Sequence, residues 1–147
     1  MIKRSDILGA VLLMALPSLA VAGSCPKDSV LTEPRDLDKV SGQAVSVETW
    51  ETVELEDWRD VGPLRMRLRH FTIEPGGRVP VHSHGDRPSI LYFVSGEATE
   101  HNAYCAEPIV HKPGESAAEF GPGIVHWWSN EGDVPVVLIS VDIVPSN

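Results

Sequence analysis

The stretch GGRVPVHSHGDRPSILYFVSGE, residues 76–97, places two histidines two positions apart, between a double glycine and an apolar run that ends at another glycine. Successive side chains of a β-strand point to opposite faces, so His82 and His84 point to the same side of one strand. The run ILYFV that follows is apolar on both faces, which is typical of a strand covered on both sides. The stretch therefore predicts two convergent imidazoles beside a buried strand.

The composition indicates one domain and excludes one class of partner. A chain of 147 residues is long enough to build a single hydrophobic core. Its 21 acidic residues outnumber its 12 basic ones, so we expect no nucleic acid to bind. Arg65, Arg67 and Arg69 form a basic cluster with a period of two. We interpret it as the solvated face of a strand, in preference to an anion site.

The first 22 residues have the organisation of a secretory signal peptide. Lys3 and Arg4 precede an apolar run, which ends in the small residues Ala20-Val21-Ala22 before Gly23. We expect cleavage there and a periplasmic or secreted mature chain. A retained membrane helix is disfavoured because the apolar run is short and contains Pro17. Lipid attachment at Cys25 is a second alternative, although Ala22 stands where such signals usually have leucine.

Cleavage would leave Cys25 and Cys105 in a compartment that permits disulfides. If the two cysteines pair, the bond closes a long loop and stabilises the fold by about 4 kcal/mol in the chain-entropy model. The alternatives are two free thiols, or a lipidated Cys25 with Cys105 left unpaired. No Cys-x-x-Cys motif is present.

The mature chain is predicted to be all-β. From residue 64 to residue 143, short runs of Val, Ile, Phe and Tyr alternate with Gly- and Pro-containing turns, which favours an antiparallel sandwich or barrel. We assign residues 61–147 to the barrel and residues 23–60 to an N-terminal arm with the first short strands. The apolar outer face of the run at 90–94 needs cover, either from the segment around Trp50 and Trp58 or from another subunit.

A third histidine completes a set of potential metal ligands. His126 follows Gly121-Pro122-Gly123 at the start of another apolar strand. Together with His82 and His84, it would provide three neutral imidazoles inside a barrel, a donor set that suits Fe, Zn, Cu, Ni or Mn as the divalent ion. The alternative is that the pair at 82 and 84 merely alternates on an exposed edge strand.

The spacing of these residues resembles the cupin family. The first cupin motif runs Gly, five residues, His-x-His, three or four residues, Glu, six residues, Gly; the matching positions here are Gly76, His82, His84, Ser89 and Gly96. The second motif ends in a histidine, three further residues and an asparagine, and it is matched at Gly123, His126 and Asn130, with Gly114 and Pro122 each displaced by one residue.

The resemblance covers about residues 64–144 and implies a double-stranded β-helix, which is a small jelly-roll barrel. It also implies a metal held inside by His82, His84 and His126. Cupins often form homodimers, so the resemblance implies a second subunit as the cover for the outer face of residues 90–94.

The departure from the family pattern is at Ser89. Most cupins have a glutamate there as a fourth ligand, and serine supplies neither the charge nor a strong metal–oxygen bond. We therefore expect a three-histidine site that retains more positive charge and favours an anionic or chelating substrate. Three-histidine cupins with a similar ligand set include dioxygenases that act on thiols and β-diketones with Fe(II) and O2.

Other polar or aromatic residues could enlarge the pocket. Trp128 shares the parity of His126 and could cover the site, although an ordinary core tryptophan is equally compatible with the pattern. His101 and its neighbour Glu100 follow Gly96, where a bulge could change the parity and allow either residue to replace the missing ligand. His70 and His111 read as strand-edge residues.

Two classes of function fit these features. The first is a metal-dependent oxygenase or lyase that acts on a small chelating organic acid or phenol. The second is a non-catalytic cupin that captures a small ligand or carries metal. An acid or base in the pocket beyond the ligands would separate them, and the sequence identifies none.

Overall fold

The computed structural model of the chain describes residues 24–146, and the predicted signal peptide lies outside them. The described part is all-β, as predicted, with one short 3-10 helix at Lys27–Ser29. Within it, no helix is long and apolar enough to span a bilayer. The strands are β1 (Gln43–Glu54), β2 (Leu64–Ser83), β3 (Ser89–Ser95), β4 (Ala98–Asn102), β5 (Ile109–His111), β6 (Ser116–Glu119), β7 (Val125–Ser129) and β8 (Val136–Pro145).

The strands form one curled antiparallel sheet, in the order β5-β4-β7-β2-β8-β3-β6, with β1 also paired to β2. Strand β2 is central to this arrangement. Its residues 64–73 pair with β8, residues 65–73 pair with β1, and residues 78–83 pair with β7. A long strand that bends between two sets of partners brings the two ends of the sheet around a shared interior.

The N-terminal arm is better anchored than the sequence indicates. Its residues 29–35 run beside residues 103–106, with hydrogen bonds from the Leu31 and Arg35 amides to carbonyl oxygens of the β4–β5 loop. A disulfide joins Cys25 to Cys105 in the same loop. Strand β1 was expected to be short, but it has twelve residues because it pairs with nearly half of β2.

The core lies on the inner face of the sheet. Its buried apolar residues are Ile73, Leu91, Phe93, Ala98, Trp128, Val136 and Leu138. In β3 only the inner face is buried, whereas the sequence predicts cover on both faces: the outward Ile90 and Tyr92 are 60% and 49% exposed. Trp50 stacks on His70 of β2, and Trp58 is itself exposed, so in residues 24–146 this segment leaves the outer face of β3 uncovered. The homodimer stays a prediction.

The interpretation of the arginine cluster as a solvated strand face is wrong. Arg67 and Arg69 form ion pairs of 2.7 and 2.8 Å with Asp142, whose side chain is fully buried. The cluster shares the parity of Phe71 and Ile73, so it continues the inner face of β2. The register places Arg67 opposite Asp142, and this carboxylate compensates charges that the strand pattern alone would assign to solvent.

Two motif residues hold the strands that carry the histidines. Gly96 has a φ of +72°, and an added Cβ would lie 2.6 Å from the Pro135 carbonyl oxygen, so only glycine fits the turn from β3 to β4. The Asn130 side chain donates hydrogen bonds of 2.8 Å to the carbonyl oxygens of Ile73 and Val134. These contacts fix the end of β7 against β2.

Candidate metal centre

Three histidines meet at one point inside the sheet. His82 on β2 lies directly opposite His126 on β7 in the antiparallel register. His84 follows at the same parity, and its amide donates to the Ile124 carbonyl oxygen. Three nitrogen atoms, one from each ring, lie within 4.8 Å of one another, and His84 and His126 are fully buried.

The hydrogen bonds of the three rings determine where their lone pairs point. The Nδ1 of His82 lies 2.9 Å from the Pro80 carbonyl oxygen, and the Nδ1 of His84 lies 2.9 Å from the Arg87 carbonyl oxygen. A carbonyl oxygen only accepts, so each Nδ1 carries the proton. The Nδ1 of His126 lies 2.7 Å from a carboxylate oxygen of Glu100 and likewise donates. In the neutral rings, all three Nε2 atoms therefore present lone pairs.

The rings of His82 and His84 are kept neutral by their surroundings. Burial is the main cause that lowers the pKa of each to about 4. When both rings are neutral Nδ1–H tautomers, the 3.2 Å contact between the Nε2 atoms of His82 and His126 joins two acceptors. Two ligands held about 2.1 Å from one zinc-like ion would lie about 3.0–3.4 Å apart. The convergent acceptors thus fit a metal cation.

Glu119, which no motif in the sequence indicates, supplies a carboxylate to the same point. One carboxylate oxygen lies 3.2 Å from Nε2 of His84, and the other lies 3.5 Å from Nε2 of His126. These are not ion pairs when the rings are neutral, and the Oε1 atom is buried without a hydrogen-bond donor. Burial raises the pKa of Glu119. In its ionised form this carboxylate adds another acceptor, and a cation bound at the centre would favour that form.

Ser89 lies opposite Glu119 in the β3–β6 register. Its Oγ donates a hydrogen bond of 2.9 Å to Oε2 of Glu119. At the position where most cupins have a glutamate, this protein has Ser89, and the serine hydroxyl holds the carboxylate of Glu119 from the neighbouring strand. No local signal in the sequence connects residues 89 and 119, because only the strand register brings them together.

Glu100 orients His126 instead of replacing the missing ligand. One of its oxygens accepts from Nδ1 of His126, and the other lies 3.0 Å from Nε2 of His111. Burial alone would raise the pKa of Glu100, but the hydrogen bonds from His111 and His126 outweigh it and hold the pKa well below its usual range. His111 ends the edge strand β5, in agreement with its interpretation as a strand-edge residue, but its side chain is fully buried.

The two remaining pocket candidates have different outcomes. Trp128 is buried and lines the cavity beside the histidines, with its ring 5.3 Å from that of His126. His101 does not face this cavity, because β4 keeps its alternation after Gly96 and turns Glu100 inward. The ring of His101 instead stacks on Trp127 at 3.7 Å, with Nε2 3.1 Å from Ser129 Oγ. A register shift lies between Phe93 and Ser95, and the inward positions change from odd numbers in β3 to even numbers in β4, so Glu100 and not His101 is turned inward.

A cavity of about 230 Å³ opens onto the centre. Its wall includes the side chains of His82, His84, Ser89 and Glu119. Most of the remaining wall is apolar, and it comes from Phe71, Ile73, Val79, Pro80, Leu91, Trp128 and Leu138, with polar groups from Arg69, Arg87 and Ser140. A small ligand could therefore reach the convergent acceptors while its body contacts an apolar surface.

The fold and the site define a small antiparallel barrel with an internal histidine centre. The family model of the cupin domain matches residues 69–142, half of the chain, and the protein belongs to the cupin family. A search of curated proteins finds no significant match.

Solved structures agree on the fold. A predicted oxalate decarboxylase from Thermotoga maritima superposes with a TM-score of 0.55 at 19% identity, over 82% of this chain and 98% of that one. A cupin domain from Bordetella pertussis gives 0.54 at 15% identity, over 71% and 98%. The cupin domain of an XRE-family transcriptional regulator from Enterobacter cloacae gives 0.52 at 17% identity, over 70% and 99%. At these identities the likeness concerns the jelly-roll fold alone.

We expect the variant Glu100→Gln to weaken Co²⁺ binding by about 10–100-fold, because a neutral amide accepts less strongly from His126 and turns its NH2 group toward one of the two histidines. His101→Ala, one residue along the same strand, should leave the affinity unchanged. Titration of each folded variant with Co²⁺ against a chromogenic chelator measures both dissociation constants. Wild-type affinity in Glu100→Gln would show that Glu100 does not orient a ligand.

Proposed function

We propose that the protein is an exported cupin that binds a divalent transition metal on His82, His84, His126 and Glu119 and acts as an oxygenase or lyase on a small chelating organic substrate. The observation that carries the proposal is the convergence of three Nε2 lone pairs and a buried carboxylate on one point. Groups that only accept repel one another unless a cation lies between them.

The donor set limits the metals that fit. Imidazole nitrogens suit Zn, Cu, Fe and Ni, whereas carboxylate oxygen also suits Mn. When bound, such an ion would supply Lewis-acid or redox chemistry to a chelating substrate. The protein's own groups hold the three rings as Nδ1–H tautomers and leave an apolar wall for the substrate.

If Glu119 is a metal ligand, a carboxylate at position 89 on the paired strand should be able to replace it. Glu119→Gln should weaken Mn²⁺ or Co²⁺ binding by about 10–100-fold. The double variant Ser89→Glu/Glu119→Ser should recover most of the affinity, because it returns the carboxylate to the position that it occupies in most cupins. Ser89→Ala should cost about fivefold at most, since it removes one hydrogen bond to Glu119. Chelator competition measures all three.

Two results would contradict this assignment. Full affinity in Glu119→Gln would remove Glu119 from the ligand set and leave it as a candidate base. Full metal content in His82→Ala would overturn the centre itself. The non-catalytic alternative is distinguished by screening the metal-loaded protein for oxygen uptake and for decarboxylation of chelating acids, where no turnover would favour a binding protein.

Export is supported by the N-terminal sequence and by the cysteines. The charged and apolar segments precede Gly23. A disulfide between Cys25 and Cys105 is typical of an oxidising compartment, and it leaves no thiol on Cys25 for a lipid. We therefore favour a cleaved chain that starts at Gly23 over a lipoprotein.

A homodimer is supported by the outer face of β3. Ile90, Tyr92 and Val94 are exposed side by side on this face. Exposed apolar groups on adjacent outward positions of a strand favour burial against another surface. We propose that a second copy of the chain covers this face, as the resemblance to dimeric cupins implies.

Mass spectrometry of the exported protein tests both proposals together. Denaturing conditions should give a chain that begins at Gly23 and gains two hydrogens on reduction, and native conditions should give twice the chain mass. A chain that begins at a lipid-modified Cys25 would contradict cleavage at Gly23. A native mass of one chain at micromolar concentration would contradict the dimer.

A further inference from the structure

The wall of the metal-site cavity carries two arginines beside the residues of the metal centre. Arg69 comes from β2 and Arg87 from the segment between β2 and β3, and both line the cavity. In each side chain the Nε–H group is buried and has no hydrogen-bond acceptor. A buried unpaired donor is costly, so these two groups suit an acceptor that arrives with a ligand.

Arg69 is held rigidly in place. Its NH2 group lies 2.8 Å from the buried carboxylate of Asp142, and its guanidinium carbon lies 4.8 Å from the centre of the Phe71 ring. Asp142 is shared with Arg67, so one carboxylate faces two guanidinium groups. The positive charge is therefore only partly compensated on this side of the cavity.

Arg87 reaches the metal centre itself. Its NH2 group lies 3.4 Å from Nε2 of His84, the lone pair that a metal would take. Metal binding would therefore leave this NH2 group free for another acceptor. Within residues 24–146 the Arg87 side chain forms no ion pair, whereas Arg67 and Arg69 both do.

The charges around the cavity favour an anion. The charged side chains that line the cavity are Arg69, Arg87 and Glu119, which leaves one net positive charge on the wall before any metal binds. A divalent ion would add two more. A guanidinium group offers two parallel N–H donors that match the two oxygens of a carboxylate.

We propose that Arg69 and Arg87 form a carboxylate-binding subsite, and that the ligand is a small organic acid with an apolar body. This inference rests on the proposed function for the second end of the ligand, which would face the metal. The cavity of about 230 Å³ is smaller than the roughly 300–1,000 Å³ typical of pockets for drug-sized molecules. A short aliphatic or single-ring acid is the matching size.

Benzoate is a suitable probe, with neutral benzamide and phenyl phosphate as comparisons. We expect calorimetry to detect benzoate binding to both the metal-free and the Zn²⁺-loaded protein, with benzamide at least about tenfold weaker. Arg69→Met and Arg87→Met should each weaken benzoate by about tenfold or more. Arg78→Met, an exposed arginine on the same strand as Arg69, should bind as wild type does.

Several results would overturn the subsite: unchanged benzoate affinity in both variants, equal affinity for benzamide, or a clear preference for phenyl phosphate. If Arg69→Met fails to fold because Asp142 loses a partner, Arg87→Met still tests the proposal. The metal-free arm separates the two claims. Arginine-dependent benzoate binding in a protein that binds no metal would keep the subsite and reject the proposed metal function. Metal binding without arginine-dependent benzoate binding would keep the metal site and reject the subsite.

Discussion

The structure depends on one constraint: three imidazoles must show their lone pairs to the same point. The Nδ1 atoms of His82, His84 and His126 are each tied to an oxygen that only accepts. The remaining ring nitrogens are therefore forced together as acceptors. A fold that maintained this arrangement for packing alone would lose stability, because hydrophobic side chains of similar size would fill the space without the repulsion.

The rest of the barrel holds the three rings in this arrangement. Strand β2 carries two of the histidines and pairs with the strand that carries the third. Asn130 ties these strands together at one end, and Glu100 fixes His126 from behind. On the inner face Asp142 accepts from Arg67 and Arg69, and Glu119 accepts from Ser89, which helps to keep a polar cavity stable inside an apolar core.

Local patterns in the sequence predicted the parts of the site that depend on parity within one strand. The shared face of His82 and His84 and the division of β3 into two faces follow from a period of two, and the spacing of the motif residues indicates the family. Glu119 and Arg69 could not be found in this way, because their roles depend on which strand lies opposite. Ser89 faces Glu119, and Arg69 faces Ser140, only through the register. The same parity rule that placed the arginines on one face did not say that this face was the inner one.

Nitrogen chemical shifts of the histidine rings test the central claim most directly. In two-bond ¹H–¹⁵N correlation spectra of the metal-free protein at pH 7, we expect His82, His84 and His126 to be neutral Nδ1–H tautomers. One equivalent of Zn²⁺ should then move the Nε2 resonances of all three rings together. An Nε2–H tautomer in any of the three rings before metal is added, or a Zn²⁺ response confined to one ring, would contradict the account.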